Sequence, residues 1–170
     1  MKRRPMNAAE LVAQLEADPE YQARMRKGEA ELAPLWEQRR RDEMPLVQEL
    51  RKAGFQVESV YDFVNTREEY REALPILVRH LDVPHDPCIR EGIIRSLTIK
   101  YGGPEVEEAL LRQFYSEAHA QTRWTLANAL KVAMPLARRK KHPEIKAVFE
   151  GRRKPNQSSE PTAPSGRGSP

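Results

Sequence analysis

The chain contains one cysteine, Cys88, and four histidines among 170 residues. A single thiol excludes an internal disulfide and suits a reducing compartment. His80, His85, His119 and His142 form no His-x-x-x-His spacing. The nearest approach to a ligand pair is His85-Asp-Pro-Cys88, two donors short of a zinc site. Glycine-rich phosphate loops are absent too, since Gly102-Gly103 leads into Pro104 and reads as a helix break. The longest uninterrupted apolar run is about Leu74 to Val78, far below the ~18 residues of a membrane span. Met1-Lys-Arg-Arg-Pro is basic but lacks the apolar middle of a secretion signal, so a cytoplasmic location is expected. No strand-like alternation of useful length occurs. The expected class is therefore all-α, with no cofactor and no bound metal.

What is present is charge, unevenly placed. Net charge is +4. Residues 1–54 carry 11 Lys/Arg against 10 Asp/Glu, residues 55–134 carry 9 against 12, and residues 135–170 carry 9 against 3. The basic character thus belongs to the C-terminal segment, and the middle of the chain is mildly acidic, which disfavours a phosphate backbone as its ligand.

A stretch of sequence also recurs: Arg90-Glu-Gly-Ile-Ile-Arg-Ser-Leu97 aligns with Arg123-Trp-Thr-Leu-Ala-Asn-Ala-Leu130, about 33 residues later. The apolar positions Ile93, Ile94 and Leu97 match Leu126, Ala127 and Leu130, and each copy follows another helical stretch, so the unit reads as a two-helix repeat. Helix starts are marked by caps. Asn7 with Glu10 predicts a capping box ahead of Leu11, Val12 and Leu15, and Asp18-Pro19 opens a long polar segment with an apolar stripe of Tyr21, Met25, Leu32 and Trp36. Gly28 and Pro34 predict a kink or two helices there, with a further helix from Pro45 to Lys52. Thr66-Arg-Glu-Glu69 reads as a second capping box into a helix that passes Pro75. Asp86-Pro87 opens the next helix, ended by Gly102-Gly103, and others follow to Ala133, with a small one at Pro143 to Glu150. The division expected is an N-terminal helical cap over 1–65, helical repeats plus a small helix over 66–151, and a disordered tail over 152–170.

With helices paired antiparallel, a period of 33 to 34 and arginine opening each second helix, residues 73–134 resemble two HEAT-type repeats, and the whole is similar to small bacterial HEAT-repeat proteins. The resemblance implies an α-α superhelix acting as an interaction module. It also implies a buried pair between Asp86 in the turn and Arg90 in the second helix; the second repeat keeps Arg123 but has no aspartate in its turn. The N-terminal helices would then cover the open end of the stack.

Candidate sites follow from this frame. A non-enzymatic protein-binding module is expected, with its partner surface on the second-helix face: Arg90, Arg95, Arg123, Trp124, Asn128 and Lys131. Trp124 is read as an exposed aromatic anchor and Trp36 as packed on its own stripe. Arg138, Arg139, Lys140 and Lys141, unbalanced by acid, could contact a polyanion, so nucleic acid through the basic C-terminal segment is the alternative partner. Helical-repeat DNA glycosylases offer an enzymatic alternative, and an immunity or antitoxin-type partner a second binding one. Cys88, in the first turn of a helix, is read as a small buried side chain in preference to a reactive thiolate.

Overall fold

The computed structural model describes residues 7–151, and every regular element among them is helical. Helix α1 (Ala8–Ala17) opens as expected. Asn7 Oδ1 accepts from the Glu10 amide at 2.8 Å, and Glu10 Oε2 accepts from the Asn7 amide at 3.0 Å, so two orphan donors are satisfied reciprocally. Asp18 ends α1 and caps α2 (Pro19–Lys52), taking the amides of Glu20 and Tyr21.

Of the expected kink or division at Gly28 and Pro34 and the further helix from Pro45, the divisions are corrected: Pro19–Lys52 is one helix of 34 residues with Pro34 and Pro45 inside it. Each interior proline removes one i→i−4 bond at a cost of about 3 kcal/mol. The carbonyls released belong to Ala30 and Arg41, both on exposed residues, where water can donate in place of the missing amide. Leu46, Val47 and Leu50, buried near the C-terminal end, fix the helix to the body.

Thr66 does not open a helix as expected. Its hydroxyl accepts from the Glu68 amide at 3.2 Å, yet no helix begins there. After α3 (Asp62–Asn65), a 3-10 turn over Arg71–Ala73 leads directly into α4 (Leu74–His80). Pro75 sits at the second position of α4, in the first turn, where its missing N–H costs no intrahelical bond.

Helix α5 (Pro87–Ser96) is capped by Asp86, whose Oδ1 accepts from the Cys88 amide at 2.8 Å. It ends at Ser96, before the glycine pair that the sequence suggests as its stop. Then come α6 (Gly103–Ser116), α7 (Ala120–Ala133), the short α8 (Leu136–Arg139) and α9 (Pro143–Gly151). Helix α7 packs on α5, α6 and α9, while α4 packs on α6 and on α2. All six matched positions of the recurrence are fully buried, which makes it a packing signature. Gly92 lets the connector after α2 approach α5: a Cβ there would stand 2.6 Å from Val60 Cγ1 and 2.8 Å from Tyr61 Cε2. The Tyr70 hydroxyl donates to the Ser96 carbonyl at 2.7 Å and holds the same junction.

The N-terminal helices cover the core only through the C-terminal end of α2, which packs on α4. No residue of α1 is buried, and α2 buries only Leu46, Val47 and Leu50. Leu11, Val12, Met25 and Leu32 are exposed, and Trp36 keeps 51% of its surface in solvent instead of packing on its stripe. Periodicity marks an apolar side; whether the fold supplies a cover is a separate matter. The expected tail over 152–170 lies outside the described residues.

Candidate functional site

The second-helix residues named from sequence are largely occupied inside the fold. Arg90 pairs through Nη1 with the Glu117 carboxylate and donates from Nη2 to Gln113 Oε1 at 2.8 Å. The Asp86–Arg90 pair implied by the resemblance is replaced: Asp86 faces Arg39 Nε at 3.1 Å and caps α5. Arg123 lies over the Phe114 ring at 4.7 Å and donates to the Glu117 carbonyl at 3.4 Å. Both arginines of the recurrence therefore converge on Glu117, in the turn between α6 and α7. Burial raises the Glu117 pKa, but the Arg90 hydrogen bond and the His119 amide outweigh it and leave the carboxyl below its usual range.

Arg95 is paired with Glu91 one turn earlier, at 2.6 Å. Trp124 is half-buried, its ring edge-on to Phe149 at 6.4 Å, so the reading of a free aromatic anchor is corrected by α9 packing over α7. Asn128 is half-buried, and Lys131 Nζ sits 5.5 Å from the Phe149 ring centre. These six residues form packing contacts and short surface pairs more than one open face.

Of the four basic residues beyond α7, Arg138 binds the buried Glu107 carboxylate at 2.9 Å and Arg139 donates to the Lys131 carbonyl. Lys140 and Lys141 remain exposed. The end of α7 with α8 and α9 frames a groove of about 510 Å³, floored by Leu136, Ile145 and Phe149. Lys131, Arg139, Lys140 and Lys146 rim it, and its one carboxylate, Glu150, is paired with Lys146 at 3.1 Å.

A third cluster left no sequence signal. His80 and His85 are buried and stacked, His80 Nδ1 lying 3.1 Å from His85 Nε2. Glu49 Oε1 stands 3.5 Å from His80 Nε2, and Asp42 Oδ2 stands 3.4 Å from His85 Nδ1. Both carboxylates come from α2, so no local spacing could announce them. Three contacts need three protons, whereas two neutral rings carry two; in the structure His85 Nδ1 is the buried atom left without a hydrogen bond. Burial pushes the His80 pKa below its usual value, against the pull of Glu49. Among the described residues no three of His, Cys, Asp and Glu converge as metal ligands. Cys88 Sγ lies 3.6 Å from the Tyr61 hydroxyl, whose pKa is raised chiefly by burial, so that group offers the thiol no base.

The His80 shift has a definite sign for stability. A lowered folded pKa favours the neutral ring, so the contribution is complete above the unfolded value of about 6.5 and is lost as pH falls through the lower folded pKa. Melting temperature should therefore drop between pH 7 and pH 5, and H80Q should show a shallower drop. Equal slopes in the two proteins would refute this assignment. Glu49, held low chiefly by its hydrogen bond to Arg79, titrates below that window.

Among the described residues no helix is long and apolar enough to cross a membrane. No family model, curated protein or solved structure matches this chain.

Proposed function

We propose that this protein is a non-catalytic helical interaction module that binds another protein through the exposed apolar side of its α1–α2 arm. One observation carries the reading. Met25, Leu32 and Leu46 lie seven and fourteen residues apart on one helix, so they share a stripe; the stripe is buried at Leu46 and open at Met25 and Leu32. Leu35 and Trp36 widen the open part, at 38% and 51% exposure. Single exposed apolar residues are ordinary, but a contiguous set at helical spacing marks a binding surface, and a tryptophan within it supplies an anchor. In this reading α4–α5 and α6–α7 are two HEAT-like pairs of a short superhelix, and they serve as the rigid base of the arm. The partner surface thus moves from the second-helix face, whose arginines and tryptophan are taken up internally, to α2.

Nucleic acid is the weaker ligand. Residues 55–134 are net acidic, and Arg138 and Arg139 already have internal partners. A helical-repeat glycosylase would need a strongly basic concave face, which this composition does not supply. The test compares immobilised wild type with L35E/W36E as bait. Both positions are exposed, so stability should change by no more than about 0.5 kcal/mol, while partner recovery should be lost. Undiminished recovery would remove the arm from consideration. Salt-sensitive duplex binding that persists after deletion of residues 152–170 would favour nucleic acid instead.

A further inference from the structure

We propose that the cationic groove formed by α7, α8 and α9 receives helix α1 of a second copy, so that chains associate head to tail. The groove has two chemical demands. Its basic lining is Lys131, Arg139, Lys140 and Lys146, of which Arg139 is engaged by the Lys131 carbonyl and Lys146 by Glu150, and its apolar lining is Leu136, Ile145 and Phe149, with Leu136 58% exposed and Ile145 buried. A phosphate backbone answers the rim and leaves the apolar floor wet. An acidic amphipathic helix answers both.

Three segments of this chain can be compared as occupants. The sequence 152–170 brings Arg152, Arg153, Lys154 and Arg167 against a single acid, Glu160, and is of the wrong sign. The open stripe of α2 is flanked by both signs, Arg24, Arg26 and Lys27 beside Glu29 and Glu31. Helix α1 differs from both. It carries only the acids Glu10 and Glu16, followed by Asp18 in the turn and Glu20 at the start of α2, and Leu11 and Val12 are exposed at 49% and 52%. Lys2, Arg3 and Arg4 precede it, outside the described residues. In the structure α1 lies along α2 and leaves the groove open, so the helix that fills it comes from another chain.

Such a contact is heterologous: two different patches meet, and the pair retains one unused groove on one copy and one unused helix on the other. A groove of about 510 Å³ seats only one face of a short helix, which places the contact among small, weak interfaces. Its charges are solvent-exposed at the rim, so added salt weakens it.

Sedimentation of the full chain over a wide concentration range tests the proposal. The mean mass of the wild type should rise with concentration and fall back as salt is raised. L11E/V12E removes the helix patch and L136E/K140E removes the groove, and all four positions are exposed. Each variant alone should lose self-association by about tenfold or more in Kd. An equimolar mixture should form a one-to-one dimer that grows no further, because one copy retains a sound groove and the other a sound helix. Unchanged melting temperatures show that the variants fold; if they shift, E16K, which spares the capping box, and K140E replace them. A wild type that stays monomeric overturns the proposal, as does a mixture that fails to pair. Self-association that persists in the groove variant also overturns it, since helices would then pair with each other. L35E/W36E should self-associate like the wild type, which separates this contact from the partner surface proposed for α2.

Discussion

Phe114→Ala should lower the unfolding free energy by about 4 kcal/mol, the range found when a buried phenylalanine leaves a cavity. Phe114 is fully buried on α6, where α6 meets α7. Its loss has a second consequence, because the ring also carries the Arg123 guanidinium at 4.7 Å. Without the aromatic face, a half-buried cation keeps only the Glu117 carbonyl as a named partner, and the cation–π contribution of about 1 kcal/mol disappears with the ring. A domain stabilised by 5–15 kcal/mol has little to spare against such a change. Urea denaturation of wild type, F114A and F114L should place the leucine variant between the other two, since leucine fills volume but offers no π face. A loss under about 1.5 kcal/mol in F114A would mean that the site collapses around the gap and that α6–α7 packing is less rigid than described.

What could be read in advance was local. Asn7, Asp18 and Asp86 announced helix starts because a cap acts within three residues, and each of the three is found accepting the amides expected of it. Thr66 misled for the same reason: its side chain makes the short-range bond, but the helix begins only at Leu74, with Pro75 in its first turn. Pro34 misled in the opposite sense, since an exposed backbone tolerates the lost bond. The recurrence from Arg90 to Leu97 and Arg123 to Leu130 was legible because packing imposes one period on apolar residues.

Partners distant in sequence were not legible. Arg90 lies in the first turn of its helix, yet its carboxylate stands 27 residues later, at Glu117. The absence of an aspartate in the second turn was noticeable; that residue 117 of the same turn meets Arg90 through its carboxylate and Arg123 through its backbone carbonyl was visible only in three dimensions. The stacked histidines obtain their carboxylates from α2, and the cationic groove is assembled from three helices. Exposure of the arm was equally hidden, because an amphipathic pattern reads the same whether or not something covers it.

The convergence on Glu117 makes Arg90→Met the second large effect, a loss of about 2 kcal/mol. Removing one partner of a buried pair costs 3–5 kcal/mol when both are fully enclosed. Here the Glu117 side chain is 10% exposed and that of Arg90 25%, which calls for the smaller figure. The cost arises less from the missing attraction than from a carboxylate left in a poorly solvated turn with only the His119 amide at 2.8 Å. That origin gives the prediction a pH signature. With its pKa lowered in the folded protein, Glu117 contributes stability that is complete above the unfolded value of about 4.3 and is lost as pH falls through the folded one. In R90M the part of the lowering due to Arg90 is gone while that of the His119 amide remains, so the stability gap between R90M and wild type should be full at pH 7 and should narrow as pH falls below about 4. Adding E117L to R90M should recover much of the loss at pH 7, since an apolar pair of similar volume leaves no charge to solvate. If R90M and R90M/E117L are equally destabilised, the penalty is one of packing around the Arg90 stem, and Glu117 is not the residue through which the two halves of the recurrence are joined.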